Sequence, residues 1–403
     1  MLFSIRVFFM KKFLSICTFV LLLGVPLTLL ADAEANSLKS VLTEILGWDS
    51  QKIKAFTLLF ENSEAKPHYE ALVKAKHPNT QNEYLFLLNE TLQKFWFRDA
   101  EENIIQRRFA VLAGKPLSPV KERFQISTVD LAAFDPSKLT AEQLKNYQSL
   151  QLFKSCLAQF GVFKGAPASN RKKTEHLILA YLGATFPSAE SRAEWGAKFL
   201  KSHPELKPEF IALLSGSRPL NQEIDLEAMK APGYSTQGVT TEFEMMQAIA
   251  KKHFANYKGK WIEINVPLRT DGMRPNTTDT FEYAGREINR LIKTGKIGMG
   301  QKLTILSLTE APNFFVQTQQ AKTGLIKANA PMDQIILEYT GIGIPSDQQT
   351  HSETLILGLS TIAAEVFTVV ERQKYLLELE SSKKSVSNRS KGRIRPHLTA
   401  IVR

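Results

Sequence analysis

The clearest pattern in the sequence is an alternation of apolar and polar positions over residues 261–268. A period of two places successive side chains on opposite faces of a strand, so this stretch predicts a β-strand. Pro267 has no amide hydrogen to give to a neighbouring strand, so we expect an edge or half-exposed strand. The apolar face carries Ile262, Ile264, Val266 and Leu268, and the other carries Glu263, Asn265 and Pro267.

Two later stretches, Leu303–Leu308 and Gln334–Tyr339, are almost continuously apolar. Strands that are covered on both faces have this composition, so both predict interior strands. A helix-like spacing of apolar residues follows each predicted strand, over residues 278–294, 311–321 and 352–379. A strand followed by a helix, three times in succession, predicts a sheet with parallel neighbours.

The chain before residue 257 shows mainly the i, i+3, i+4 spacing of amphipathic helices. Residues 174–182 and 208–214 are interpreted as two of these helices, because their apolar residues fit one helical face. Residues 215–240 contain several glycines and prolines and predict a linker.

Three sequence spacings of the capping-box type predict helix starts, at Thr140, Ser191 and Thr241. In such a box the hydroxyl of the first residue and the side chain three positions later satisfy open backbone amides.

The predicted fold class is therefore α+β overall. A helix-rich N-terminal region, residues 34–234, precedes a small α/β domain, residues 235–380, with a mostly parallel sheet of about three to five strands. Three strands are few, so we expect the sheet to recruit a strand from residues 115–140 or 320–330, or to pair with a second copy of the chain at its edge.

Residues 1–33 have the features of a secretory signal peptide that is cleaved after Ala33. Two lysines precede an uncharged apolar run over residues 13–30, and the Ala31-Asp-Ala33 sequence offers the small side chains that signal peptidase accepts. The chain is therefore expected to be exported, to a periplasmic or extracellular location. The alternative is a membrane anchor through residues 13–30. No other stretch is expected to be long and apolar enough to span a membrane.

The net charge of +11 is concentrated at the ends of the chain. Residues 381–403 contribute +7 and residues 1–33 contribute +2, which leaves +2 for residues 34–380. The segment 381–403 is predicted to be a basic, disordered tail that could touch an anionic surface. Because the body is nearly neutral, no specific nucleic-acid binding is predicted, and the protein partner stays unknown.

One cysteine, Cys156, remains after the predicted cleavage, so the mature chain can form no internal disulfide. It lies on the apolar face of a predicted helix and is interpreted as a small buried hydrophobic residue.

Ligands of parallel α/β sheets bind beyond the carboxyl ends of the strands, so the loops there are the places to look for a site. The loop after the first predicted strand contains Arg269, Asp271 and Arg274. The two guanidinium groups could hold a carboxylate or phosphate, and the alternative is an exposed turn. Glu310 follows the second predicted strand, as a working carboxylate or as an acidic residue of a helix start.

The loop after the third predicted strand runs from Thr340 to Glu353 and is the most suggestive of the three. Its glycines would let the backbone approach a ligand, its serine could cap the next helix, and histidine titrates near neutral pH. The alternative is a polar loop whose glycines serve turns. The candidate residues are Gly341, Gly343, Asp347, His351 and Ser352.

Two functions follow from these patterns. The first is a non-catalytic exported binding or interaction protein, because no nucleophile elbow, P-loop or zinc motif occurs. The second is a hydrolase or transferase that uses Glu310, Asp347 and His351 as acid and base on an anionic small substrate. Convergence of Asp271, Glu310 and His351 on one concave site would favour the enzyme. Neither a metal nor a particular cofactor is indicated.

Overall fold

The computed structural model describes residues 38–74, 81–100, 103–116, 128–165 and 176–391. The predicted signal peptide lies outside them. The chain forms two compact units, residues 1–91 and residues 92–403.

The first unit contains a π-helical turn, Val41–Ile45, and the helices α1, Ser50–Glu61, and α2, Lys66–Lys74. Asp49 begins α1 by accepting a hydrogen bond from the amide of Lys52. Aromatic rings follow one another through this unit, with centroid distances between 4.7 and 5.0 Å. They belong to Trp48, Phe56, Phe60 and Tyr69. The next helix, α3, Gln81–Phe95, contains the boundary between the units.

The second unit is built on a five-stranded, wholly parallel sheet in the order β3-β2-β1-β4-β5. The strands are β1, His176–Leu182; β2, Phe210–Gly216; β3, Lys260–Val266; β4, Leu303–Glu310; and β5, Ile335–Ile342. A helix follows each strand. These helices are α6, Phe186–Ser202; α7, Glu242–His253; α8, Thr277–Lys293; α9, Phe314–Lys327; and α10, Ser352–Lys391.

Both faces of the three central strands are buried. Helices α6 and α7 cover one face, and α8 and α9 cover the other. Each fully buried Leu, Ile or Phe contributes about 1.5–3 kcal/mol of hydrophobic free energy relative to exposure, so the two faces together form the main core. The side chains of consecutive β1 residues point into opposite layers, as Ile178 and Leu179 show.

Two further helices, α4, Ile104–Ala113, and α5, Ala141–Phe160, contact each other and α10, and α10 also contacts α9. Short helical turns complete the second unit, over Leu131–Ala133, Pro136–Lys138, Gln222–Glu227, Ala228–Lys230 and Ser346–Gln348. The predicted α+β class, with a mostly parallel sheet, is confirmed.

The predicted helices at 174–182 and 208–214 are wrong, because these segments are β1 and β2. A strand covered on both faces is a continuous apolar run, which periodicity does not distinguish from a buried helix. The extra strands of the sheet come from these segments. The predicted division between residues 234 and 235 therefore passes between strands that pair with each other.

The position of β3 at a sheet edge is confirmed, whereas β5, which was predicted to be interior, is the other edge strand. Ile336 on β5 is accordingly 39% exposed. The capping boxes at Thr140 and Thr241 are present, but Ser191 lies inside α6, which begins after Thr185.

Helix α10 differs from its prediction in two ways. It continues to Lys391 and so includes the first part of the predicted tail. Its segment Ser352–Lys383 is also long and apolar enough to cross a membrane, contrary to the expectation for the sequence beyond residue 33. The most apolar part of this segment is 67% buried within the protein, and a buried core helix has the same composition. Cys156 on α5 is buried, as predicted, and burial raises the pKa of its thiol to about 11.

Candidate functional site

A cleft of about 800 Å³ opens at the carboxyl ends of the central strands. The chain winds from β1 outward to β3 and then returns to β4 on the other side of β1, so the strand order reverses between β1 and β4. Loops that leave the sheet in opposite directions separate at such a point, and ligands of parallel sheets bind there. The cleft wall includes residues 182–185 after β1, 274–277 after β3, and parts of α9 and α10.

Arg218, two residues beyond β2, ties several parts of this wall together. Its Nε donates to Glu242 Oε2 at 2.5 Å and its Nη1 donates to Asp225 Oδ2 at 2.9 Å. Asp225 is fully buried and also accepts a bond from the amide of Phe186, the first residue of α6. Burial alone would lower the pKa of Arg218, but the hydrogen bond to Asp225 and the charge of Glu242 outweigh it and raise the pKa. The guanidinium is therefore permanently charged.

Glu242 begins α7 and lines the cleft. Its second oxygen, Oε1, accepts a hydrogen bond from Ser215 Oγ at 2.9 Å. A Cβ atom on Gly183 would lie 2.0 Å from that oxygen, so only glycine at the end of β1 lets the carboxylate approach the backbone so closely. Two separate segments, the end of β1 and residues 215–218, thus fix one carboxylate at the cleft.

A second arginine, Arg192 on α6, lies beneath the end of β1 with only 2% of its surface exposed. It donates to the carbonyl oxygens of Leu182 and Gly183, at 3.2 and 3.3 Å, and to Glu310 Oε1 at 3.2 Å. The Arg192–Glu310 ion pair joins β4 to the β1 end across the strand-order reversal. Because the charge of Arg192 is matched by Glu310, we assign this pair to the support of the cleft.

Arg98 and Arg274 also line the cleft. Within the described residues, neither side chain forms an ion pair or a hydrogen bond, whereas Arg192 and Arg218 are each paired with a carboxylate. The backbone that carries Arg98 is held in place, because its amide donates to Ser360 Oγ on α10 at 3.3 Å. A guanidinium group is protonated at neutral pH, so both side chains bring a positive charge to the cleft wall.

The start of α8 is next to Arg274. Asn276 forms a capping box with Asp279, in which each side chain accepts a bond from the backbone amide of the other residue. Across the cleft wall, α9 begins after Asn313, whose side chain makes no capping bond. The remaining wall is rich in hydroxyl and amide groups, from Thr185, Asn221, Thr277, Thr280, Asn313, Gln317, Gln320, Ser360 and Thr361.

Of the residues that the sequence singled out, Arg274 lines the cleft. Glu310 does not line the cleft itself, but it is hydrogen-bonded to Arg192, which does. Arg269 and Asp271 instead form an exposed ion pair of 3.4 Å in the same loop as Arg274. The cleft lining thus includes neither Asp271 nor His351, and the convergence that would favour an enzyme is not found in it.

The loop from Thr340 to Glu353 has a packing role. A Cβ atom on Gly341 would lie 2.0 Å from the carbonyl oxygen of Thr309, and one on Gly343 would lie 2.7 Å from the amide nitrogen of Gly165. These glycines therefore allow close contact between backbones.

The rest of that loop is held by the segment before α5. His351 forms an isolated antiparallel bridge with Asp130. Ser352 exchanges hydrogen bonds with Val129, donating through its amide at 2.9 Å and accepting at Oγ at 3.0 Å. Asp347 is exposed in a short helical turn.

Sequence reasoning missed Arg98, Arg192, Arg218 and Glu242. Ser215-Gly216-Ser217-Arg218 follows an apolar run, which is the signal of a strand-end loop once β2 is recognised as a strand. Among the described residues, no group of three His, Cys, Asp or Glu side chains could hold a metal ion.

Comparison with known proteins adds no family. No protein-family model matches the sequence, and no curated protein matches it. Among solved structures, the signal recognition particle receptor FtsY from Elizabethkingia anophelis, in complex with GDP, is 13% identical over 77% of this chain and 96% of that chain. The TM-score is 0.21, which is too low for any conclusion about this chain.

Proposed function

We propose that this chain is an exported, non-catalytic protein that binds an anionic small molecule in the cleft at the carboxyl ends of β1 to β4. The observation that carries the proposal is the presence of Arg98 and Arg274 in the cleft wall without recorded partners among the described residues. A guanidinium group is a planar fork that matches a carboxylate or phosphate, so two of them in one concavity favour an anionic ligand.

The two arginines that are paired with carboxylates differ from Arg98 and Arg274, and this difference supports the proposal. Arg192 and Arg218 are paired with carboxylates in the wall, and those pairs hold the loops in place without a ligand. Arg98 and Arg274 make no such contribution among the described residues. Each of them offers a positive charge to an anion in the cleft, so ligand binding is favoured electrostatically.

The size and chemistry of the cleft define the ligand further. A volume of about 800 Å³ lies within the range of small-molecule sites, roughly 300–1,000 Å³. The threonine, asparagine and glutamine side chains of the wall donate and accept hydrogen bonds. A polar molecule such as a phosphate ester therefore fits better than an apolar one.

Calorimetric titration with inorganic phosphate, AMP, glucose 6-phosphate and citrate tests the proposal. We expect at least one of these anions to bind, and Arg274→Ala to weaken its binding about tenfold, as expected for loss of a charge-assisted hydrogen bond. The matched control is Arg269→Ala in the same loop, which is paired with Asp271 outside the cleft and should bind like the wild type. Binding that is equal in all three proteins would contradict the proposal.

A hydrolase or transferase is the second candidate. It is favoured by the location of the cleft and by two carboxylates in its wall, Asp99 and Glu242. Asp347 and His351, which the sequence suggested as acid and base, do not line the cleft, and Glu310 is paired with Arg192. Incubation of the protein with phosphate esters separates the candidates: release of inorganic phosphate that is lost in Glu242→Gln would support the enzyme.

Export rests on residues 1–33, which lie outside the described residues. Cell fractionation and N-terminal sequencing of the mature protein test it. We expect the mature chain to begin at Glu34 and to be found outside the cytoplasm. A mature protein that retains residues 1–33 in a membrane fraction would support the anchor instead.

A further inference from the structure

The charges around the cleft are unevenly matched at the β2 end. One guanidinium, Arg218, contacts two carboxylates, Glu242 at 2.5 Å and Asp225 at 2.9 Å. This group of three charges has a formal net charge of −1. Asp225 is fully buried, so the groups that meet the cleft are Arg218 and Glu242, whose side chains are each 13% exposed, and Glu242 is the acceptor of the two.

The Glu242 carboxylate has capacity for a further hydrogen bond. Its two oxygens offer about four acceptor positions, and within the part of the chain that the structure describes each oxygen accepts one bond, from Ser215 and from Arg218 respectively. Both donors hold the carboxylate in one orientation, and Gly183 removes the side chain that would displace it. A rigid acceptor that is already in place loses little conformational freedom when a ligand donates to it.

We infer that the ligand carries an ammonium group in addition to its anionic group, and that Glu242 accepts a hydrogen bond from this ammonium. The inference rests on the proposed function, because Arg98 and Arg274 hold the anionic end. The ligand class is thus a zwitterion, such as an aminoalkyl phosphate or an amino acid.

The net charge favours an ammonium over a neutral hydroxyl at this position. A hydroxyl would leave the charge of −1 uncompensated when the ligand excludes water from the cleft, whereas an ammonium neutralises it. The Arg192–Glu310 pair is balanced, so it contributes no net charge to this comparison.

The test compares pairs of probes of equal length on the wild-type protein. Each ω-aminoalkyl phosphate with a chain of about two to six carbons is titrated beside the alkyl phosphate of the same length at pH 7, where the amine is charged. We expect at least one amine to bind about tenfold more tightly than its alkyl partner, the effect of one charge-assisted hydrogen bond. If no amine of the series binds more tightly than its partner, the inference is overturned.

The variant Glu242→Gln locates the effect. It should abolish the advantage of the amine over the alkyl phosphate of the same length, and the readout is this ratio of affinities within the variant. Glu227→Gln is the matched control, because Glu227 is exposed, is paired with Lys230 and does not line the cleft. An amine advantage that survives in Glu242→Gln would contradict the assignment to this residue.

Failure of the inference is distinct from failure of the proposed function. If alkyl phosphates bind and Arg274→Ala weakens them, but the amines show no advantage, only the zwitterion inference falls. If no phosphate of either series binds and citrate does not bind either, the proposed anion site falls as well. Should Glu242→Gln lose its fold, judged by its circular dichroism, the wild-type comparison of the probe pairs still decides the result.

Discussion

Two loops at the carboxyl ends of the parallel strands differ in role: one contributes to the cleft and the other packs against neighbouring backbone. The loop after β3 places Arg274 in the cleft, whereas the glycine-rich loop after β5 packs its backbone against Thr309 and Gly165. The β5 loop has more of the residues that suggest a site, including closely spaced glycines and a histidine. Composition alone would therefore have chosen the wrong loop for this cleft.

The difference follows from position in the strand order. The strand order reverses between β1 and β4, and the cleft is formed by the segments that surround this point. β5 lies at an edge of the sheet, and its loop is covered by residues 128–130 and 163–165. The position of a loop in the strand order thus decides whether it lines the cleft, and its residue composition does not.

The largest expected effect is on stability, from Arg218→Met. This change leaves Asp225 and Glu242 without their shared cation, and breaking a buried ion pair on one side costs about 3–5 kcal/mol of the free energy of unfolding. Urea unfolding measures the loss. Arg286→Met, in an exposed pair with Glu282, is the control and should change stability little. A loss no greater than that of the control would show that Arg218 does not hold the cleft wall together.

A smaller loss is expected from Gly341→Ala. The added Cβ overlaps a backbone oxygen, and overpacking of this kind costs about 1–3 kcal/mol of the free energy of unfolding. Because the β5 loop does not line the cleft, anion binding to the folded protein should be unchanged. Thermal unfolding and titration of the same sample measure both, with exposed Ser346→Ala as the control in this loop. Unchanged stability together with weakened binding would reverse the roles assigned to the two loops.

The smallest expected effect concerns Glu190, a carboxylate outside both regions. Burial alone would raise its pKa, but hydrogen bonds from Tyr234 and His253 outweigh it and lower the pKa below the ordinary value of 4.5. A lowered pKa stabilises the fold above the unfolded value, and this contribution is lost as the pH falls through the folded pKa. The side chain is 21% exposed, so the contribution should be below about 1 kcal/mol.

Urea unfolding of the wild type and of Glu190→Gln, at pH 6 and at pH 3.5, checks this sign. The difference in stability between the two proteins should shrink at the lower pH, with no change in anion binding at pH 6. A difference that grows as the pH falls would contradict the assigned direction.

Three of the five strands were predicted from the sequence, β3 from its alternation and β4 and β5 from their apolar runs. The alternation along β3 identified both the strand and its position at an edge, because one face of β3 remains exposed. β1 and β2 have both faces covered by helices, so their side chains show no period of two. A continuous apolar run of this kind fits a strand or a buried helix equally well. β4 was assigned correctly, whereas β1 and β2 were assigned to helices, so two of the three central strands were missed.

The same error explains which site residues were found. Arg274 follows β3, a strand that was recognised, so its loop was searched. Arg218 follows β2 and Gly183 follows β1, and neither loop was recognised as a strand end. Arg98 comes from a distant segment, and its place in the cleft depends on packing against α10 that no local pattern predicts.

The most direct test compares the two regions with one anion. The anion that binds the wild type most tightly among phosphate, AMP, glucose 6-phosphate and citrate is titrated into Arg98→Ala/Arg274→Ala, which alters the cleft, and into Asp347→Asn/His351→Ala, which alters the β5 loop. We predict that the first double variant loses at least about tenfold in affinity relative to the wild type, while the second binds like the wild type. Loss of affinity in the second variant but not in the first would contradict the assignment of the ligand to the cleft.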